Sequence, residues 1–82
     1  MNRIILLLFA LCTPVLHAAD LNKGTQAFDS GDYNTARYEL EPLADAGDPQ
    51  AQVRVGVMHA TGNGYRQDYV QAYKWLTLSA RA

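Results

Sequence analysis

The chain has 82 residues, 49% of them hydrophobic, a formal charge of −1 and a single cysteine. That length limits the chain to one small domain or a few short repeats. The slightly acidic balance argues against nucleic acid and anionic membrane surfaces as partners.

The chain opens with the basic start Met1-Asn2-Arg3, followed by an uncharged apolar run from Ile4 to Leu16 and the small residues Ala18 and Ala19. This is the order of a secretory signal peptide, with cleavage expected near Ala18–Ala19. A membrane-spanning helix needs about 20 apolar residues; this run is shorter and is broken by Pro14. A lipid anchor on Cys12 is disfavoured, because Leu11 rather than a small residue precedes it and the apolar run continues beyond it. The expected product is periplasmic or secreted, with no membrane attachment after cleavage. It has no disulfide or thiol chemistry, since the only cysteine leaves with the leader. Six cations then face eight acids, a net charge of 6 − 8 = −2.

From Asp20 onward the pattern is helical, with four helices predicted near Leu21–Ser30, Tyr33–Ala46, Pro49–Thr61 and Tyr69–Ala82. Asp32, Asp48 and Asp68 each precede an apolar-periodic run, where a carboxylate accepts the free N–H groups of a helix start. Pro49 suits a first helical position, and Gln71, three residues after Asp68, suggests a variant of the capping box. Gly31, Gly47 and Gly62 fall where helices end in a left-handed residue. Pro42 removes one N–H from the second helix and is expected to bend it.

The second and fourth helices are copies. Asp32, Tyr33, Ala36, Leu40 and Ala44 recur as Asp68, Tyr69, Ala72, Leu76 and Ala80, all at an offset of 36. Ala27, Phe28 and Gly31 correspond to Met58, His59 and Gly62 at an offset of 31, the difference being the inserted loop "NGYRQ". A period in this range with two helices per unit marks an α-solenoid. The expected fold class is therefore all-α: a two-repeat helix-turn-helix solenoid of four antiparallel helices, behind a leader at residues 1–19. The Gly62–Gly64 loop reads as a connector. It has neither the third glycine of a dinucleotide fingerprint nor the Gly-Lys-Ser/Thr of a phosphate loop.

Gly47, Ala51-Gln52, Gly56, Met58, Gly62, Gly64, Asp68, Ala72, Trp75 and Ala80 stand at the spacing of a Sel-one-like repeat, which residues 47–82 resemble. Residues 20–46 are more weakly similar, as a degenerate, tetratricopeptide-like first repeat. His59 departs from the family's usual tyrosine and Tyr65 from its usual small aliphatic residue. The resemblance implies an exported protein–protein interaction or assembly module, often of the bacterial envelope.

For catalysis the segment after the leader offers one histidine, His59, and the serines Ser30 and Ser79, with neither a Gly-x-Ser-x-Gly turn nor a zinc-binding His pair. An exported serine hydrolase using Ser30 or Ser79 with His59 is the first alternative reading; a structural fragment of a larger repeat array is the second. The acids beside the glycines lack the ligand positions of a calcium loop, so no catalytic residue, metal or cofactor is expected. Tyr33, Tyr69, Tyr73 and Trp75 are expected to pack between helices.

The expected partner is another protein. In two-helix solenoids the first helix of each unit lines one side. Its positions outside the packing pattern are Val53, Arg54, Val57 and Ala60 on the third helix and, at the offset of 31, Asn22, Lys23, Gln26 and Asp29 on the first. Arg54 and Lys23 are the natural positions for charge reversal. The last helix carries Tyr73, Trp75 and Leu76, more apolar surface than one neighbour covers. Self-association through this helix is therefore expected, or pairing with another repeat protein, because repeat arrays need polar caps.

Overall fold

A computed structural model describes residues 18–81. The predicted leader therefore lies outside the described residues, apart from Ala18 and Ala19. Four helices follow one another: α1 (Leu21–Ser30), α2 (Tyr33–Asp45), α3 (Pro49–Thr61) and α4 (Tyr69–Ala80). Each packs on the next in chain order, and no described residue is in a strand. This is the all-α helical repeat expected. Two ends differ slightly. Ala46 is the C-cap of α2 rather than its last residue, and α4 stops at Ala80 with Arg81 as its cap. The helix runs on through Pro42, whose carbonyl accepts the N–H of Ala46 at 3.0 Å.

Aspartates start all four helices. Asp32 accepts the N–H of Thr35, Asp48 those of Gln50 and Ala51, and Asp68 those of Val70 and Gln71. Asp20 caps α1 through the N–H of Lys23, a fourth cap that the pattern at Asp32, Asp48 and Asp68 did not single out. Such a cap is worth about 1 kcal/mol. The capping box at Gln71 is only half made, because the N–H of Asp68 donates instead to the carbonyl of His59 at 2.8 Å. That bond ties the start of α4 to the end of α3 and fixes where the intervening loop returns. Gly31, Gly47 and Gly62 all have positive φ, as their places after helices require.

Within each repeat a glycine lets two helices approach closely. A Cβ on Gly24 of α1 would lie 2.6 Å from Leu40 Cδ2, and one on Gly56 of α3 would lie 2.9 Å from Leu76 Cγ. Leu40 and Leu76 are the copies at an offset of 36, so Gly24 and Gly56 hold equivalent places at an offset of 32 (56 − 24). The helix ends, Gly31 and Gly62, are offset by 31. The first helices of the two repeats therefore differ in length by one residue between packing glycine and terminal glycine.

The core gathers Ala27, Ala36, Leu40 and Ala44 from α1 and α2 with Ala51, Val55, Met58 and Trp75 from α3 and α4. Gln52 of α3 is buried with them and donates to the carbonyl of Ala44 at 3.1 Å. Of the aromatics expected to pack between helices, Trp75 does so: it is only 8% exposed, which removes it from the uncovered surface of the last helix, and it carries the Lys74 ammonium 4.4 Å above its ring. Tyr69 and Tyr73, assigned to packing, stand in solvent, Tyr73 being 74% exposed. On α4, Trp75 shares the inward face with Ala72, three residues away. Tyr73 lies nearly half a turn from Trp75, and Tyr69 about a third of a turn from it, at the edge of that face.

Candidate interaction face

The proposed binding residues lie on α1 and α3. Asn22, Lys23, Gln26 and Asp29 are exposed on α1; Val53 is exposed on α3, while Arg54, Val57 and Ala60 are half-buried. Arg54 donates to the carbonyl of Gln50 at 3.2 Å, and its guanidinium carbon lies 6.0 Å from the centre of the Phe28 ring. This places the Arg54 guanidinium of α3 beside Phe28 of α1. Its Nε atom is buried without a hydrogen-bond partner.

The register set by the packing glycines sorts the eight residues. At an offset of 32, Asn22 and Asp29 correspond to Arg54 and Thr61, on the side that α3 turns outward. Lys23 and Gln26 correspond to Val55 and Met58, which are buried in the core shared with α2. In α1, which has no earlier helix beside it among the described residues, those two positions are polar and exposed. Asn22 and Asp29 thus continue the stripe of Val53, Arg54, Val57 and Ala60, whereas Lys23 and Gln26 turn toward the end of the helix stack. Lys23 is further engaged by Glu39, at 3.9 Å. Glu39 is a carboxylate only 2% exposed that also accepts the N–H of Asp20 at 3.0 Å. Sequence reasoning missed Glu39. An acid in the middle of a helix carries no mark of burial until α1 brings its positive end and free N–H groups against it.

The inserted loop builds a second cluster. Tyr65 stacks on His59, with ring centroids 3.9 Å apart and planes at 25°. On its other side the Arg37 guanidinium lies 4.4 Å from the ring centre. The Tyr65 hydroxyl donates to Glu41 at 2.9 Å, and Arg37 donates to the carbonyl of Gly64 at 3.0 Å. The "NGYRQ" loop is thereby held against α2 of the first repeat. Burial, followed by the bond to Glu41, pushes the Tyr65 hydroxyl pKa up, which keeps it a donor. Burial also lowers the His59 pKa below its ordinary 6.5, against the opposing charges of Asp68 and Glu41. His59 Nδ1 is buried without a hydrogen-bond partner.

The serines are engaged elsewhere. Ser30 Oγ donates to the carbonyl of Ala27 at 3.2 Å and Ser79 Oγ to that of Leu76 at 2.8 Å, each within its own helix. No hydrogen bond among the described residues links either to His59. Because α3 and α4 run antiparallel, Ser79 sits at the opposite end of the pair from His59. Among the described residues no three potential ligands gather around a metal position. Among the described residues no pocket opens on the surface.

No curated protein and no solved structure matches the chain. Residues 49–82, which form α3, the loop and α4, match the family model of the Sel1 repeat, so the second half of this helical array carries a Sel1-like repeat.

Proposed function

We propose that the protein is an exported protein–protein interaction or assembly module that performs no chemistry of its own. It takes a protein partner on the stripe formed by Asn22, Asp29, Val53, Arg54, Val57 and Ala60, with Lys23 and Gln26 at its edge. Sel1 repeats generally mediate contacts between proteins. The observation that carries the reading is the continuity of this stripe: the Arg54 guanidinium spans from α3 to Phe28 of α1, so two successive first helices present one surface. Export rests on the leader pattern of residues 1–19. The division into a leader, a degenerate repeat at 20–46 and a Sel1-like repeat at 47–82 belongs to the same reading.

The test pairs two measurements. N-terminal sequencing of the chain from the periplasm or medium is expected to begin at Ala19 or Asp20; an intact Met1 in the soluble fraction contradicts export. Affinity capture compares the wild type with Asn22→Arg and Val53→Glu, both at exposed positions whose side chains make no hydrogen bond or ion pair among the described residues. Arg54 and Lys23 are poorer choices, since each holds another part of the fold. Loss of the captured protein in both variants, with helicity kept, supports the stripe; undiminished capture moves the site elsewhere.

A further inference from the structure

Glu39 is an acid where the repeat asks for none. At the offset of 36 its counterpart is Trp75, an apolar member of the core. Glu39 is nonetheless 2% exposed, a depth at which a carboxylate is unfavourable unless charge and hydrogen bonds meet it. They meet it at the start of α1. In the register of the packing glycines, α1 begins at the equivalent of Val53, four residues after α3 begins at Pro49. α1 thus lacks the first turn that α3 has, and the chain enters it extended at Asp20, with φ −124° and ψ 111°. There the N–H of Asp20 donates to Glu39 Oε1 at 3.0 Å, and the Lys23 ammonium stands 3.9 Å from Oε2. Lys23 is a loose partner, because its side chain is 66% exposed and ion pairs in solvent are worth little. The Asp20 carboxylate, which caps α1, adds a further negative charge at the same helix start.

We propose that Glu39 is the docking site for the α-ammonium group created when the leader is removed. This rests on the export reading, in which the chain is cut before Ala19 or Asp20. A leader peptidase adds water across that peptide bond. The leader keeps the oxygen as a carboxylate, and both hydrogens go to the nitrogen, which becomes an ammonium at neutral pH. A cut before Asp20 converts the atom that Glu39 already holds from a neutral donor into a cation. A cut before Ala19, itself half-buried, puts the cation on the adjoining backbone nitrogen, within about 4 Å. On either route the buried carboxylate gains this charge-assisted partner only after processing. The precursor offers a plain amide N–H in its place. Leader removal thereby tightens the first repeat at the start of α1, the helix that has no earlier helix beside it among the described residues.

The test is the reactivity of the α-amino group in protein processed by the producing cell, its terminus first read by N-terminal sequencing. Cyanate attacks only the unprotonated amine, and fragment-ion mass spectrometry places the carbamoyl group on the first residue. In the folded wild type the α-amino group is expected to react roughly tenfold more slowly than in the guanidinium-unfolded chain, the factor that a hydrogen bond between charged groups supplies. Glu39→Gln keeps the shape and the acceptor but not the charge. It should lose most of that protection while the circular dichroism stays unchanged. Equal protection in Glu39→Gln assigns the effect to burial of the terminus and overturns the proposal. So does a wild-type terminus that reacts as fast folded as unfolded, a result that needs no variant to fold. An intact Met1 in the soluble fraction contradicts export and overturns the docking with it. A processed but unprotected terminus overturns the docking alone and leaves export standing.

Discussion

His59 and Tyr65, the two positions that depart from the usual Sel-one-like pattern, are stacked on each other, with ring centroids 3.9 Å apart. The two departures therefore act as one unit. A tyrosine where a small aliphatic residue is usual fills the space above an imidazole, and its hydroxyl reaches Glu41 of the preceding repeat. An aromatic stack of this kind is worth about 0.5–1.5 kcal/mol beyond its buried area. In a double-mutant cycle, His59→Ala and Tyr65→Ala are expected to be coupled by that amount in urea unfolding. Tyr65→Phe, which removes only the bond to Glu41, should cost about 1–2 kcal/mol. Additive single-mutant effects would show that the stack contributes nothing.

The same pair sets a pH dependence. Burial lowers the His59 pKa below 6.5, with Asp68 and Glu41 pulling it upward and Lys74 and Arg37 reinforcing the decrease. The unfolded chain therefore takes up the proton first as pH falls, and stability that is fully present above 6.5 is lost as pH drops through the folded-state value. Thermal unfolding followed from about pH 8 to about pH 5 should show the melting temperature falling in the histidine range. His59→Phe should flatten that slope while leaving the acid-range transition of the carboxylates in place. A slope unchanged by the substitution would assign it to other groups.

Gly24 and Gly56 hold equivalent places but should respond differently to alanine. A methyl group on Gly24 meets Leu40, which is fully buried and has nowhere to go; on Gly56 it meets Leu76, which can swing into solvent. Overpacking costs about 1–3 kcal/mol, set against about 1 kcal/mol gained in helix propensity. Gly24→Ala is expected to destabilise by about 1–2 kcal/mol net. Gly56→Ala should come out near neutral. Urea titration of both variants gives the comparison, and equal effects would mean that the two interfaces are equally rigid.

The helices were legible because their signals are local. Asp32, Asp48 and Asp68 bond N–H groups two or three residues away, and Gly31, Gly47 and Gly62 answer a backbone need at their own position. The copies at an offset of 36 carried the repeat for the same reason. What escaped depends on partners distant in sequence. Glu39 is buried by the start of α1, 19 residues earlier. The one-residue register difference in the first helices appears only when Gly24 and Gly56 are seen against Leu40 and Leu76, and it sorts Lys23 and Gln26 away from the stripe they were grouped with. Trp75 and Tyr73 are two residues apart on one helix, so composition assigned them alike. The facing direction buries the first and exposes the second.

Contact between the proposed α1–α3 stripe and a protein partner is tested by photo-cross-linking in the producing cell, with a benzophenone side chain at Val53 or Asn22 and a control at the exposed Asn34 of α2. One discrete cross-linked protein is expected from both Val53 and Asn22 and none from Asn34. No adduct at either stripe position, or the same adduct from Asn34, would contradict it.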